Sequence, residues 1–326
     1  MVTVSARSHA AVRDFADAVA LGLSDTPRWL PSRFLYDARG SELFERICQL
    51  PEYYPTRTEA GILARVAPRL RRTTGPLTLV ELGSGSSVKT DHLLAAYAQN
   101  GDPVRYVPVD VSASILRVAA ERIEETFPSV NVAGVHGEYE HVLPLLAEFA
   151  PVMLLFLGST VGNLNHAESL LFWRRVSAAL PAGSWMLLGV DLVKAPAILE
   201  AAYNDAQGVT AQFTRNLFAR MNRELGSAID LDAVEHVARW NPEWQRMEIS
   251  ARFRTSQVVD VLPLGRRFTL NAGDRVMTEI SRKFILGDLT RYLECFGLET
   301  VLAATDEHRW FGVLLLRKGE TDGDLS

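Results

Sequence analysis

Between residues 77 and 190, short hydrophobic runs alternate with segments in which hydrophobic positions recur at helical spacing. The runs predict strands at 77–81, 105–109, 131–135, 152–157 and 184–190, and the segments between them predict helices at 87–98, 113–125, 140–149 and 167–179. Strands and helices that alternate in this way form a parallel sheet with helices on both faces. The pattern therefore predicts an α/β fold.

The pattern changes after residue 191. Helical periodicity covers 197–206 and 210–225, and period-two alternation over 234–240, 247–254 and 257–262 is typical of half-buried antiparallel strands. A helix over 286–296 and strands over 299–303 and 310–316 follow, and we expect this final hairpin to complete the first sheet. The expected domains are a core of 59–190 and 285–317, a second domain of 1–58 and 191–284, and a disordered tail of 318–326.

Composition narrows the range of functions. The 326 residues are 48% hydrophobic, which is enough for a large core, and the net charge of −5 is spread without a basic run. This balance argues against a nucleic-acid partner and favours a small-molecule substrate. Two distant cysteines, Cys48 and Cys295, indicate neither a disulfide framework nor a metal site. With no signal peptide and no apolar span of about 20 residues, we expect a cytoplasmic monomer with no membrane segment.

A glycine turn marks the most informative stretch of the chain. Residues 79–90 run from an apolar strand through Gly83 and Gly85 into a predicted helix, which brings bare backbone close to a nucleotide-like ligand. The third glycine of a dinucleotide fingerprint is replaced by Val88, which argues against a nicotinamide cofactor. Asp110 ends the next strand, where it can accept hydrogen bonds from ribose hydroxyls, and Glu138 and Tyr139 follow the third strand, where an adenine could bind. In this order the features resemble those of the Rossmann-like S-adenosylmethionine methyltransferases, which favours S-adenosylmethionine as the cofactor.

Residues 50–59 are rich in aromatic and polar groups. Thr56 and Glu59 have the spacing of a capping box, so the sequence predicts a structural role for both at the start of a helix. Tyr53 and Tyr54 lie between two prolines, outside any regular hydrophobic stripe. We therefore expect one of these tyrosines to face the substrate.

Six segments carry a resemblance to a known family. The segments 34–37, 50–59 (LPEYYPTRTE), 80–89 (VELGSGSSVK), 156–163 (FLGSTVGN), 189–194 (GVDLVK) and 277–284 (MTEISRKF) resemble the histidine-specific methyltransferases of ergothioneine biosynthesis. The resemblance runs from about residue 30 to 317. It implies a Rossmann-like seven-stranded methyltransferase sheet with an inserted α+β substrate domain. It also implies trimethylation of the α-amino group of L-histidine to hercynine, with S-adenosylmethionine as cofactor and no metal.

The resemblance also implies the residues of the site. The implied cofactor contacts are Tyr36, Gly83, Lys89, Asp110, Glu138 and Tyr139. The implied amino-acid contacts are Phe44, Tyr53, Gly158, Asn163, Tyr203, Thr210, Ile249, Glu279 and Ser281. Within this set, Asn163 and Tyr203 would hold the substrate carboxylate and Glu279 and Ser281 the imidazole, while Tyr36 and Asn163 are the implied catalytic residues.

Three residues, in two segments, depart from the family pattern. The family usually has Gly-Asp-Phe where this chain has Gly137-Glu138-Tyr139, and a flexible methionine where it has Ile249. The β-branched Ile249 changes the shape of the cavity. Another amino acid such as tryptophan is therefore an alternative substrate. The sequence also leaves open a nicotinamide-dependent oxidoreductase and a nucleotide-binding protein without catalytic activity.

The site that the resemblance implies suggests how a methyl transfer would be catalysed. In-line displacement at a sulfonium needs no metal, so alignment and electrostatics supply the catalysis. The α-amine must first lose its proton, and the Tyr36 phenol or a water could accept it. The ring face of Tyr36 would also stabilise a quaternary ammonium.

Overall fold

The computed structural model describes residues 9–319, and within that range the chain divides into two compact units. Among the described residues, the first unit consists of 9–53 and 195–281, and the second of 54–194 and 282–319. Both units are therefore discontinuous in sequence. The sequence places the corresponding limits after residues 58, 190 and 284.

The helices are α1 His9–Ser24, α2 Ala38–Cys48, α3 Tyr54–Thr74, α4 Asp91–Tyr97, α5 Ala113–Thr126, α6 Tyr139–Val142, α7 His166–Ala179, α8 Pro196–Tyr203, α9 Val209–Leu225 and α10 Leu286–Glu294. The strands are β1 Thr78–Leu82, β2 Val104–Asp110, β3 Val130–Val132, β4 Val135–His136, β5 Val152–Phe156, β6 Trp185–Asp191, β7 Val234–Asn241, β8 Arg246–Phe253, β9 Gln257–Val261, β10 Arg266–Leu270, β11 Arg275–Arg282, β12 Leu298–Thr305 and β13 Phe311–Lys318.

The second unit contains the central sheet. Its strand order is β12-β13-β6-β5-β1-β2-β3, and β4 also pairs with β2. The pairs among β1, β2, β3, β5 and β6 are parallel, whereas β13 lies antiparallel to both β6 and β12. Buried hydrophobic clusters cover both faces of this sheet. The α/β prediction is confirmed, including the closing antiparallel hairpin.

The order of the strands locates a crevice at the sheet edge. From β1 the chain builds β2 and then β3 on one side, and afterwards crosses to β5 and β6 on the other side. The strand order thus reverses between β1 and β5. In open α/β sheets, ligands bind at the carboxyl ends of the strands beside such a reversal.

Several predicted elements of this unit differ in detail. The helix predicted over 87–98 begins only at Asp91, because the glycine turn extends further. The strand predicted over 131–135 is interrupted, so β3 and β4 share one edge of the sheet. The helix predicted over 140–149 is a single α-turn followed by the 3-10 helix Leu143–Phe149, which has a proline near its start.

The predicted tail also needs a correction at its start. Lys318 is the last residue of β13 and pairs with Leu298, so it does not belong to a disordered segment. Its Nζ donates to Ser177 Oγ and to the Phe296 carbonyl. Residues 320–326 of the predicted tail lie outside the described residues.

The first unit combines helices with antiparallel strands. A three-stranded sheet has the order β11-β8-β7, and β9 pairs with β10 in a separate hairpin. Helices α8 and α9 pack against β7 and β8, and α2 packs against α9. The alternation over β7, β8 and β9 was visible in the sequence, whereas α1, α2 and β10 were not predicted.

Candidate functional site

The glycine turn of the second unit follows β1. Gly83 and Gly85 have φ angles of +64° and +52°, a region that favours glycine, and Ser87 shares it at +58°. The N–H groups of Gly83 and Ser84 donate to the Val109 carbonyl of β2. A Cβ on Gly83 would lie 3.2 Å from the Tyr139 hydroxyl, so the absence of a side chain makes this close approach possible.

Asp110 lies beside the turn at the end of β2. One carboxylate oxygen accepts from Gly85 N at 2.9 Å, and the other accepts from Ser112 N at 2.9 Å. Burial raises the pKa of Asp110, while these N–H groups act in the opposite direction. Each carboxylate oxygen has a second lone pair, so the group can still accept ribose hydroxyls as the sequence predicts.

Ser84 was not among the predicted site residues. Its Oγ is buried in the turn and has no hydrogen-bond partner within the described part of the chain. A buried hydroxyl without a partner costs free energy unless a ligand satisfies it. The serines around the glycines were the sequence signal for this residue.

Glu138 and Tyr139, the two residues expected to contact the adenine, lie just after β4. Glu138 precedes α6, and its N–H donates to His141 Nδ1. The ring of Tyr139 contacts Phe156 edge-on at 5.4 Å, and burial raises the pKa of its phenol. Tyr139 thus forms a wall between the turn at Gly83 and the end of β5.

A buried acid at the end of β1 belongs to a hydrogen-bond network that stabilises the glycine turn. Glu81 is 2% exposed and accepts from Thr90 Oγ1 at 2.7 Å and from the Tyr106 hydroxyl. Ser87 Oγ lies 2.8 Å from the same Tyr106 oxygen, which can accept the serine proton because its own proton goes to Glu81. Burial raises the pKa of Glu81 to about 7, although its hydrogen bonds and the charge of Lys89 oppose the shift. No sequence pattern indicates this network.

The predicted capping box at Thr56 and Glu59 is wrong. Helix α3 already begins at Tyr54, so both residues lie inside it. Glu59 is fully buried, and its carboxylate accepts from Gly158 N at 2.9 Å and from the Lys89 ammonium. The i, i+3 spacing correctly indicated a helix, but it did not indicate the role of Glu59. That role depends on Gly158 and Lys89, which only the fold brings next to the carboxylate.

The segment after β5 carries two predicted substrate residues. Gly158 has a φ of +73°, and a Cβ there would lie 3.3 Å from Lys89 Nζ. Asn163 ends the 3-10 helix Thr160–Asn163 that follows. Lys89, Gly158 and Asn163 therefore lie at the β1 and β5 side of the crevice, whereas Asp110 lies on the β2 side.

An aromatic cluster occupies the first unit. Tyr36 lies 5.5 Å from Phe44 and 5.3 Å from Phe213, measured between ring centroids. Phe44 lies 6.3 Å from Tyr53, which in turn lies 6.2 Å from Tyr203. Four of the predicted site residues are thus brought together, and Phe213, which was not predicted, completes the cluster.

Polar groups adjoin this cluster. The Tyr203 hydroxyl donates to Ser281 Oγ at 2.8 Å. Burial raises the pKa of Tyr53, and Tyr203, Cys48, Tyr36 and Glu279 raise it further through their charges. Glu279 and Ser281 are two residues apart on β11, so they share one face of that strand.

His236 is a neighbour of the cluster that was not predicted either. Its Nε2 lies 2.8 Å from the Tyr203 carbonyl, which can only accept, so Nε2 carries the proton. Its Nδ1 lies 2.8 Å from Thr214 Oγ1, and burial lowers its pKa. The neutral imidazole thus fixes the end of α8 where Tyr203 lies.

The remaining predicted residues of this unit are buried. Thr210 is 6% exposed near the start of α9, and its N–H donates to Asp205 Oδ1. Ile249 is 2% exposed on β8, and its carbonyl accepts from Thr278 of β11. Ile249 therefore lies on the strand next to the one that carries Glu279.

A charged cluster at the end of β6 was also missed. Asp191 accepts a hydrogen bond from the Tyr54 hydroxyl and forms ion pairs with Lys194 and Lys283, all within 2.8 Å. Burial lowers the pKa of Lys194 to about 8. Tyr54 is thus engaged with Asp191, whereas Tyr53 belongs to the aromatic cluster.

The described residues offer neither a metal site nor a membrane segment. Within residues 9–319, no group of three or more histidine, cysteine or acidic side chains could hold a metal ion. None of the helices described has both the length and the apolar character needed to cross a membrane.

Comparison with known proteins places this geometry in a family. A profile of the family described as histidine-specific methyltransferase, SAM-dependent, matches residues 15–318. The chain is 41% identical over 318 residues to the histidine N-alpha-methyltransferase of Mycolicibacterium smegmatis, covering 96% of this chain and 99% of that protein. It is 42% identical over 297 residues to the protein of the same name from Mycobacterium tuberculosis, covering 91% and 92% of the two chains.

A third relative is a larger protein. Ergothioneine biosynthesis protein 1 of Neurospora crassa is 30% identical over 309 residues, which are 92% of this chain and 34% of that protein. The matches extend over both units, from the glycine turn and Asp110 to the aromatic cluster and β11. The chain belongs to the family of histidine-specific, S-adenosylmethionine-dependent methyltransferases.

Proposed function

We propose that the protein transfers three methyl groups, one after another, from S-adenosylmethionine to the α-amino nitrogen of L-histidine. The product would be hercynine, the betaine of the ergothioneine pathway. The observation that carries this proposal is the family match over residues 15–318, which includes both the cofactor-type turn and the strand with Glu279 and Ser281. The names of the three relatives agree with it.

The second unit would bind the cofactor. Asp110 would accept the ribose hydroxyls, and the unpartnered Ser84 hydroxyl offers a further polar contact in the turn. Glu138 and Tyr139 would contact the adenine. Lys89, on the β1 and β5 side of the crevice, would bind the carboxylate at the methionine end. The residues thus fit a ligand with an adenosyl end over β2 and an anionic end over β5.

The polar side chains of the first unit would recognise the imidazole. A neutral imidazole has one N–H donor and one nitrogen acceptor. The Glu279 carboxylate would accept the donor. Ser281 accepts from Tyr203, and a hydroxyl that accepts one hydrogen bond has its own proton to donate to the other nitrogen. Asn163 and Tyr203 would bind the carboxylate of histidine, Tyr203 by turning its single hydroxyl proton from Ser281 to that carboxylate, with Gly158 and Thr210 as further contacts.

Catalysis would depend on position and electrostatics. The cofactor supplies a sulfonium methyl group, and the histidine nitrogen must be unprotonated to accept it. Tyr36 or a water would take the proton, while Asn163 would help to hold the amino acid in line. The rings of Tyr36, Phe44 and Tyr53 would stabilise the positive charge that remains on the product nitrogen after the third transfer.

A related amino acid such as tryptophan is a second candidate substrate. The observation that favours it is Ile249, which replaces a flexible methionine with a β-branched side chain next to β11. Membership in a family that depends on S-adenosylmethionine favours methylation over nicotinamide-dependent redox chemistry.

The proposal also covers the oligomeric state and the cellular compartment of the enzyme. We infer that it works as a monomer on a free amino acid in a reducing, cytoplasmic compartment. Cys48 and Cys295 are not joined in a disulfide, which agrees with such a compartment.

A competition assay tests the proposed substrate. The wild-type protein is incubated with S-adenosylmethionine and equal concentrations of histidine and tryptophan, and mono-, di- and trimethyl products are counted by mass spectrometry. Trimethylhistidine should dominate. In Glu279→Ala the kcat/KM for histidine should fall about 10- to 100-fold, because a hydrogen bond to a charged group is lost, while any activity on tryptophan should change less.

Glu243→Ala is the matched control, because Glu243 is exposed in the same unit and should leave the activity unchanged. A dominant tryptophan product in the wild type would replace histidine as the substrate. An equal loss of activity on both amino acids in Glu279→Ala would remove Glu279 from imidazole recognition.

A further inference from the structure

Four separate segments of the sequence meet at one buried carboxylate in the second unit. Glu59 comes from the segment LPEYYPTRTE, Lys89 from VELGSGSSVK, Gly158 from FLGSTVGN and Gly189 from GVDLVK. Glu59 is 0% exposed in the second turn of α3, and its oxygens face all three partners. A side chain that contacts three other segments in this way contributes to their relative positions as well as to the helix that carries it.

The contacts of Glu59 use both of its oxygens. Gly158 N lies 2.9 Å from each oxygen, and the Lys89 ammonium pairs with Oε2. A carboxylate can accept several hydrogen bonds at once, whereas an amide has a single oxygen acceptor. The position therefore requires an acid rather than a glutamine if both donors are to be held.

Gly189 shows how closely the carboxylate is packed. A Cβ on Gly189 would lie 1.8 Å from Glu59 Oε1, which is an impossible distance for two non-bonded atoms. Strand β6 therefore has a glycine where the acid packs against the sheet. The carboxylate has little room to move, so the groups that it holds are also fixed.

The lysine is the partner that reaches outward. Its side chain is 23% exposed, whereas that of Glu59 is buried completely. One side of the ammonium thus faces the acid, and the other lies beside Gly158 at the carboxyl edge of β1 and β5. An ammonium on a flexible four-carbon stem is a poor anion site unless something fixes its position.

We propose that Glu59 is a positioning residue that holds the Lys89 ammonium and the Gly158 turn in place to receive the carboxylate of the cofactor's methionine end. This inference rests on the role that the proposed function gives to Lys89. The acid does not touch the cofactor. It fixes the lysine that does, and it fixes the amide that sets the left-handed turn at Gly158.

Two ligands separate this role from a purely structural one. S-adenosylhomocysteine has the amino-acid end of the cofactor, whereas 5′-methylthioadenosine has the same adenosine and sulfur but lacks the carboxylate. Loss of the positioning should weaken only the first ligand. General damage to the fold should weaken both, because both use the glycine turn and Asp110.

The experiment measures both affinities by isothermal titration calorimetry for the wild type and for Glu59→Gln, Lys89→Met and the double variant. Glu59→Gln should weaken S-adenosylhomocysteine at least tenfold and change 5′-methylthioadenosine less than twofold. Lys89→Met should show the same selectivity. The double variant should bind no more weakly than Lys89→Met alone, since residues that act as one unit are not additive.

Glu121→Gln is the matched control, because it removes an acid that is exposed on α5 and should leave both affinities unchanged. If Glu59→Gln does not fold, the two affinities are measured in Glu59→Asp instead. This variant keeps the negative charge but has a side chain that is shorter by one methylene group. A selective loss of S-adenosylhomocysteine affinity in that variant supports the proposal. An equal loss for both ligands, or none for S-adenosylhomocysteine, overturns it.

The readout is independent of the amino-acid substrate. Binding of S-adenosylhomocysteine requires neither histidine nor turnover, so a different methyl acceptor would leave these results intact. An unchanged affinity in Lys89→Met would overturn both the role of the lysine and this inference. A loss in Lys89→Met without a loss in Glu59→Gln would overturn the inference alone.

Discussion

Lysine is rare in this chain, and its positions are informative. Only four of the 34 basic residues are lysines, namely Lys89, Lys194, Lys283 and Lys318. All four lie in the second unit, and none has a side chain more than about a quarter exposed. Each has a named partner in an ion pair or hydrogen bond. The rarity of lysine is readable in the sequence, and it could have directed attention to Lys194 and Lys283 of the Asp191 cluster, whereas their burial is known only from the structure.

Glu81 shows a residue whose charge depends on its surroundings. Its carboxylate is part of a buried hydrogen-bond network with Thr90 and Tyr106, next to the glycine turn. A raised pKa means that the folded protein binds a proton more tightly than the unfolded chain does. The stability that this proton provides is complete below the ordinary pKa and is lost as the pH rises through the folded value.

This difference predicts a pH dependence of stability. Between about pH 4.5 and 7, the unfolding free energy of the wild type should fall relative to Glu81→Gln, by an amount on the order of 3 kcal/mol. Urea unfolding of both proteins at pH 5 and pH 8 checks the result. Glu121→Gln, which replaces an exposed acid, should follow the wild type. A constant difference between wild type and Glu81→Gln would show that the folded pKa is not raised.

At the scale of elements, sequence periodicity located most strands and helices of the second unit but not their ends. Helix α4 begins at Asp91 rather than at residue 87, because Ser87 has a left-handed backbone that no helix continues through. The third strand position is split into β3 and β4 around Ala133 and Gly134. Both differences arise at the carboxyl edge of the sheet, where local conformation serves the site.

The end of β13 provides a test at this scale. Lys318 is 7% exposed, and its Nζ lies 2.9 Å from Ser177 Oγ and 3.2 Å from the Phe296 carbonyl. Lys318→Met keeps most of the stem but removes both hydrogen bonds of the ammonium, while the Phe296 carbonyl still accepts from Ser177 Oγ. Because hydrogen bonds from a charged donor are lost, the variant should lower the unfolding free energy by about 1–3 kcal/mol. Thermal and urea unfolding measure this loss.

The neighbouring Arg317 supplies the control. It is exposed on the same strand, so Arg317→Met should change stability by less than about 0.5 kcal/mol. Equal stabilities for the Lys318 and Arg317 variants would mean that the strand does not depend on the buried ammonium, and that residue 318 contributes as little as a tail residue would.

At the scale of the whole molecule, two discontinuous units arise from one chain. The first unit gathers residues from before 54 and from 195–281, whereas the second holds the sheet, the glycine turn and Asp110. A ligand that binds the folded sheet but not the unfolded chain stabilises it by mass action. The class of cofactor can therefore be tested by comparing the thermal unfolding of the intact protein with and without each ligand.

S-adenosylhomocysteine at about 100 times its Kd should raise the unfolding free energy by about 2.7 kcal/mol and the Tm by about 4 °C. NADH at the same concentration should leave the Tm unchanged, because Val88 replaces the third glycine that a dinucleotide requires. Differential scanning calorimetry compares the two ligands. A shift with NADH and none with S-adenosylhomocysteine would contradict the assigned cofactor class.

The sequence by itself determined the α/β class, the glycine turn and the position of Asp110 at a strand end. These features depend on local periodicity and on residue types next to strand ends, which are readable along the chain. Only the tertiary structure decided that Glu59 faces Lys89, that Glu81 lies under the turn, and that Tyr54 and Tyr53 have different surroundings. The physical reason is that these roles depend on contacts between segments far apart in sequence, and burial then changes the charge and the partners of each group.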